Sequence, residues 1–133
     1  MTSPAGLQQC PCGSEAPYPS CCGPLHDGAP AKTAEALMRS RYAAYATGRS
    51  DYVFRTWHPR TRPDDVDPTP GLTWTWLEIV GTEGGGPRDE TGTVEFRAHY
   101  RTTTGSGELH EVSRFARRAG RWVYVDGEVD EGR

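Results

Sequence analysis

Four cysteines are crowded into one short stretch: Cys10-Pro11-Cys12, eight further residues, then Cys21-Cys22. Four soft thiolates that converge on one point form a tetrahedral shell for a zinc ion, with sulfur about 2.3 Å from the metal. Cys10 and Cys12 can grip one ion only if the chain turns tightly. Pro11 and Gly13 suit such a turn and leave backbone N–H groups free to bond the sulfurs. Cys21 and Cys22 would point to opposite sides of a strand, so they need a turn or the start of a helix, which Pro19-Ser20 and Gly23-Pro24 permit. The competing readings are a redox or disulfide pair, or four thiols with no common role. His26 is a substitute ligand ranked below Cys22, since a His in Gly-Pro-Leu-His is expected to be solvated. A complete four-cysteine shell has no open position for water, so one structural zinc per chain is expected; the same donors also accept iron.

The elements that hold this cluster must be built around it, because residues 8–28 are rich in Cys, Pro, Gly and Ser and show neither helical nor strand periodicity. With 133 residues and 35% hydrophobic content, the chain has room for one main core. No apolar run reaches the roughly 18 residues of a membrane span, and Met1-Thr2-Ser3-Pro4-Ala5-Gly6 has no signal-peptide character, so a cytoplasmic protein is expected. Reducing cytosol favours metal ligation over disulfides. Formal charge is uneven: −2 over residues 1–31, +5 over 32–63 and −6 beyond. Arg39, Arg41, Arg49, Arg55, Arg60 and Arg62 could meet nucleic acid, but a solvated helix face and the acidic total make that partner the poorer expectation.

Thr33 is placed to cap a helix through Ala46, with Glu35 in its first turn and Gly48 at its end. Ser50 can cap a shorter helix through Trp57, which must stop before Pro59. A proline-rich loop follows from Pro59 to Thr73. Strand texture then occupies Trp74 to Val80, Gly92 to Arg101, Glu108 to Arg117 and Arg121 to Asp126, separated by glycine-rich turns that include Gly84-Gly85-Gly86. The expected fold is α+β, with two helices covering one face of a curved antiparallel sheet. No solenoid repeat, nucleophile elbow, Rossmann fingerprint or HExxH sequence occurs.

Cys10-Pro11-Cys12-Gly13-Ser14, Tyr18 and Cys21-Cys22-Gly23 resemble the SEC-C motif found at the C-terminus of the export motor SecA. Arg41-Tyr42-Ala43-Ala44-Tyr45, Thr56-Trp57-His58-Pro59, Gly92-Thr93-Val94-Glu95-Phe96, Leu109-His110-Glu111-Val112-Ser113-Arg114-Phe115 and Trp122-Val123-Tyr124-Val125-Asp126-Gly127 are similar to the YchJ family. That resemblance implies a zinc knuckle over residues 1–31 and a domain like nuclear transport factor 2, a cone of helices on a bent sheet, over 32–133. It implies no set activity. SEC-C knuckles of the export motor contact proteins and the ribosome, which makes a protein or ribonucleoprotein partner the leading expectation, with Glu15, Tyr18 and His26 as contact candidates. A homodimer through the sheet face is a further expectation from the fold.

A cone of this kind leaves a cavity at its open end. Alternation along the third strand puts Leu109, Glu111, Ser113 and Phe115 on one face, with His110, Val112, Arg114 and Ala116 on the other. Along the second strand Phe96, Ala98 and Tyr100 face inward. Arg41, Tyr45, Trp57, His58, Glu111 and Ser113 are therefore the pocket candidates. Glu111 among apolar neighbours is either an ion-pair partner of Arg41 or Arg97, or a general base working with His58 on a small organic molecule.

Overall fold

The computed structural model describes residues 9–66 and 70–130. Residues 1–8, 67–69 and 131–133 lie outside this range, and with them the segment Met1 to Gly6, Gln8 of the knuckle and part of the proline-rich loop. A single 3-10 turn, Tyr18–Ser20, leads into helix α1, Cys22–His26; α2 spans Ala34–Thr47 and α3 Ser50–Arg55. Four strands follow: β1 Thr73–Gly84, β2 Thr91–Thr102, β3 Gly105–Arg118 and β4 Arg121–Asp130, paired antiparallel in sequence order.

Helix α2 is delimited as its sequence requires. The Thr33 hydroxyl accepts the Ala36 N–H at 3.0 Å, and Gly48 closes the last turn in the left-handed region with φ 78°. Leu37, Met38 and Tyr42 face the sheet and pack with Val94, Phe96, Ala98, Phe115 and Trp122 in the main core. The same helix also buries Ser40, Arg41, Ala43 and Ala44, because the N-terminal region covers a second side and α3 a third. A helix covered on three sides loses the clean apolar stripe of a surface helix.

All four strands are longer than their apolar alternation suggests. Register shifts fall between Trp74 and Trp76 and between Ile79 and Gly81 in β1, and opposite Arg114 and Phe115 in β4, the kind of irregularity that bends and twists a strand. The β1–β2 turn touches the helix directly: the Ala34 N–H donates to Gly85 O at 2.9 Å. A Cβ at Gly85 would stand 2.7 Å from the Ala34 Cβ, so this position requires glycine. The glycines at 84–86 serve the hairpin.

Of the turn or helix start expected at Cys21-Cys22, the helix start is the one found. Two expectations are corrected here: that helix runs on through His26, which was expected in a loop, and α3 stops at Arg55, two residues early. Residues 56–58 instead run beside β4, with Tyr124 N–H donating to Thr56 O and His58 N–H donating to Tyr124 O, both at 2.8 Å. Among the described residues, no helix is long and apolar enough to cross a membrane.

Candidate metal centre and cone cavity

The cysteine cluster is assembled from two turns. Cys10 and Cys12 lie on the first, where Gly13 N–H donates to Cys10 O at 3.3 Å and Gly13 takes φ 86°. Cys21 and Cys22 lie at the entry to α1, where Cys21 N–H donates to Tyr18 O at 3.0 Å. Gly23 lets the second turn close, since a Cβ there would lie 2.8 Å from Tyr18 O. No disulfide links the four cysteines, and their sulfurs lie within 4.8 Å of one another. Cys12 Sγ is 3.6 Å from Cys21 Sγ, which is 4.0 Å from Cys22 Sγ. A tetrahedron with arms of about 2.3 Å has edges of about 3.8 Å, so the spacing fits one four-coordinate ion.

Electrostatics agree with this fit. Backbone N–H groups of Cys12 and Cys22 reach the Cys10 sulfur, and that of Ser14 reaches the Cys12 sulfur. The Cys22 thiol, with further help from Ser14, holds Cys12 down to about 4. Cys22 is driven strongly upward as the donor in that contact and by burial. Burial, partly offset by backbone donors, pushes Cys10 up to about 11. Four sulfurs in so small a space cannot all carry charge unless a cation sits among them. Cys10, Cys12 and Cys22 are buried and Cys21 is half-buried, with the Ser14 hydroxyl 3.0 Å from its sulfur.

The knuckle is fastened to the rest of the chain by polar contacts as well as by packing on Ala43. Arg39 Nη1 donates to Cys12 O at 2.8 Å while its Nε pairs with Glu35 at 3.0 Å. His26 is 3% exposed, which corrects the expectation of a solvated ring. Its Nε2 donates to Ser40 O at 2.9 Å, and its Nδ1 accepts the Tyr18 hydroxyl at 2.6 Å. With both nitrogens so engaged the ring is neutral, and burial lowers its pKa. Arg55 Nη2 donates to His26 O at 2.6 Å. Of the three contact candidates, Tyr18 and His26 turn their polar atoms inward, and Glu15 is exposed with φ 69°.

The second site is a cavity of about 250 Å³ between α2 and the sheet. Met38, Tyr42, Trp74, Phe96, Ala98 and Leu109 supply an apolar and largely aromatic wall. Arg41, Tyr45, Trp57, Glu111 and Ser113 also line it. His58 does not: Trp57 bridges to Tyr124 of β4 and lines the cavity, whereas His58 is off its wall and its Nδ1 accepts Arg60 N–H at 3.0 Å. The acid and base expected of Glu111 and His58 are therefore not assembled in one cavity.

Arg41 is 4% exposed. Its Nη1 donates to Val53 O at 2.9 Å and Thr56 Oγ1 at 2.8 Å, and its guanidinium lies 5.0 Å from the Trp57 ring centre and 4.6 Å from that of Tyr124. Burial lowers its pKa, opposed by Tyr45, Tyr124 and Glu111. Glu111 does not pair with Arg97, which meets Glu78 and Glu108 on the outer face of the sheet, and no ion pair with Arg41 forms among the described residues. Instead Glu111 Oε2 accepts Ser113 Oγ at 2.6 Å and Tyr124 OH at 3.1 Å. Burial, then the charge of Glu111, push the Tyr124 phenol upward. Gly127 makes the necessary space, because a Cβ there would collide with the Glu111 carboxylate. Tyr124 and Gly127 were not foreseen; a glycine inside a strand was the available signal.

The comparisons with known proteins agree with this architecture. Residues 33–127 match the model of the YchJ middle domain, described as NTF2-like. A UPF0225 protein of Streptomyces coelicolor is 57% identical over 90% of this chain and 94% of its own, and one of Bordetella pertussis is 44% identical over 96% of each. The solution structure of a SEC-C motif containing protein from Rhodopseudomonas palustris superposes with a TM-score of 0.80 at 37% identity, covering 93% of this chain and all of that one. A crystal structure of a SEC-C motif containing protein from Psychrobacter arcticus gives 0.75 at 28% identity, covering 96% and 86%. An NTF2-like α+β domain carrying a four-cysteine cluster that can hold a metal, with these relatives over nearly its full length, places the chain in the YchJ family of UPF0225 proteins.

Proposed function

We propose that this is a zinc-stabilised cytoplasmic binding protein in which the knuckle is a brace and the cone cavity takes a small organic ligand. The carrying observation is the cavity itself: about 250 Å³ of largely aromatic space with a buried arginine and a carboxylate on its wall and no ion pair between them. Such a combination of apolar wall and few polar groups is the usual form of a ligand site. Zinc is the natural ion for four thiolates whose backbone donors and burial leave no position for water, and its role is structural. Binding without chemistry is favoured because His58 is not on the cavity wall beside Glu111.

Elemental analysis of purified protein, with a free-thiol count before and after chelation, tests the metal half of this reading. About one zinc per chain is expected, with four thiols that react only after the chelator removes the ion. Iron in the same stoichiometry would correct the metal and leave the brace; no metal, with thiols lost to disulfide, would remove the brace altogether.

A further inference from the structure

The polar groups of the cavity are distributed in a way that selects among ligands. The two hydrogen bonds that Glu111 accepts converge on Oε2, from Ser113 and Tyr124, and none reaches Oε1 among the described residues. Arg41 commits Nη1 to Val53 O and Thr56 Oγ1 and meets the Tyr45 hydroxyl with a further hydrogen bond, while a guanidinium carries five N–H donors in all. The cavity wall therefore holds an unfilled acceptor and unfilled donors. Their formal charges cancel, so an ionic ligand would lose its hydration without gaining a counter-charge. The aromatic rings around them, Tyr42, Trp57, Trp74, Phe96 and Tyr124, suit a flat body.

Resting on the cavity reading above, we infer that the ligand is a small neutral planar molecule bearing an amide or lactam edge, its N–H donated to Glu111 Oε1 and its C=O accepting from Arg41. An amide is the commonest neutral group that offers a donor and an acceptor side by side, and a buried polar pair left unmatched by a ligand costs affinity steeply. The volume admits about a dozen non-hydrogen atoms, below the size of most drug-like ligands.

The test is a titration of the full-length, metal-loaded protein with four probes of one shape: benzamide, methyl benzoate, benzoate and benzylamine. Tryptophan fluorescence reads occupancy, since Trp57 and Trp74 both line the cavity. Benzamide is expected to bind about tenfold more tightly than each of the others, the difference one well-made hydrogen bond to a charged group supports. Glu111→Gln keeps the side-chain shape and the oxygen that accepts from Ser113 and Tyr124, but puts an NH2 group where Oε1 stood. It should abolish the preference for benzamide or shift it to methyl benzoate. If the probes bind without preference, or benzoate or benzylamine binds best, the amide assignment is overturned and the cavity survives as a plain apolar site. If none displaces the fluorescence at millimolar concentration, and toluene also fails, the cavity reading falls with it.

Discussion

The knuckle and the cone solve the same problem by opposite means. The cone buries Leu37, Val94, Phe96, Phe115 and Trp122 against one another and draws its stability from apolar area. Residues 9–28 have almost nothing comparable: their buried cluster is three cysteines with Ala43 of the cone. Cysteine burial of this kind is a metal shell rather than a core. Between the two runs a polar seam, in which Arg39 holds Cys12, His26 holds Ser40 and Arg55 holds His26. The seam puts a helix of the cone in direct contact with the metal ligands, so a region that cannot fold alone also supports the side of α2 away from the sheet.

The sharpest way to break this comparison is Cys12→Ser. Cys12 is fully buried, and its carbonyl is the acceptor for Arg39. Loss of the ion should remove on the order of 10 kcal/mol of metal-linked folding energy from the knuckle. Hydrogen exchange should then show residues 9–28 unprotected while β2 and β3 remain protected. The cone itself should lose only the seam, about 1 kcal/mol for each of its three hydrogen bonds. If the whole chain unfolds, α2 depends on the knuckle for its existence, and the boundary near residue 32 does not divide the protein.

A smaller effect of the opposite origin is expected from Arg41→Ala. Its guanidinium is held between two rings and bonded to α3, so truncation leaves Val53 O and Thr56 Oγ1 without donors and Glu111 without a nearby counter-charge. A cost of about 3–5 kcal/mol is expected in urea denaturation. Metal content should not change, because Arg41 faces the cavity and not the knuckle. Loss of the metal from this variant would show that the two regions share one stability.

These differences track how each region could be read from its residues. The long helix was legible because Thr33 and Gly48 punctuate it, and the sheet because apolar residues alternate between glycine turns. The Leu109, Glu111 and Ser113 face followed from that alternation alone. Helix α1 was legible only as a turn or helix start at Cys21-Cys22: five residues carry no measurable period, and the segment is fixed by Cys22 and by the long-range contacts of His26. His58 was misplaced because α3 ends early and the chain then meets β4 through Trp57, which takes the cavity side. Tyr124 entered the site through the register shift opposite Arg114 and Phe115, which no local pattern announces. What could be read was local or periodic; what could not depended on pairing between distant segments.

The seam can also be sharpened by pH, with the smallest effect of the three. His26 is buried, neutral, and bonded at both nitrogens, and its folded pKa is lowered from 6.5, first by burial. The unfolded chain therefore takes up a proton before the folded one does. Stability is complete above 6.5 and declines as pH falls toward the folded pKa, by at most about 1.4 kcal/mol per pH unit for this one group. His26→Gln can keep a donor to Ser40 O without titrating. Urea denaturation of the two proteins at about pH 7 and about pH 5.5 should show the wild type losing more stability than the variant. Protonation of the cysteine ligands is common to both and cancels in that difference. Equal losses would mean that His26 is not a neutral strut between knuckle and cone, and that the metal ligands alone make the knuckle sensitive to acid.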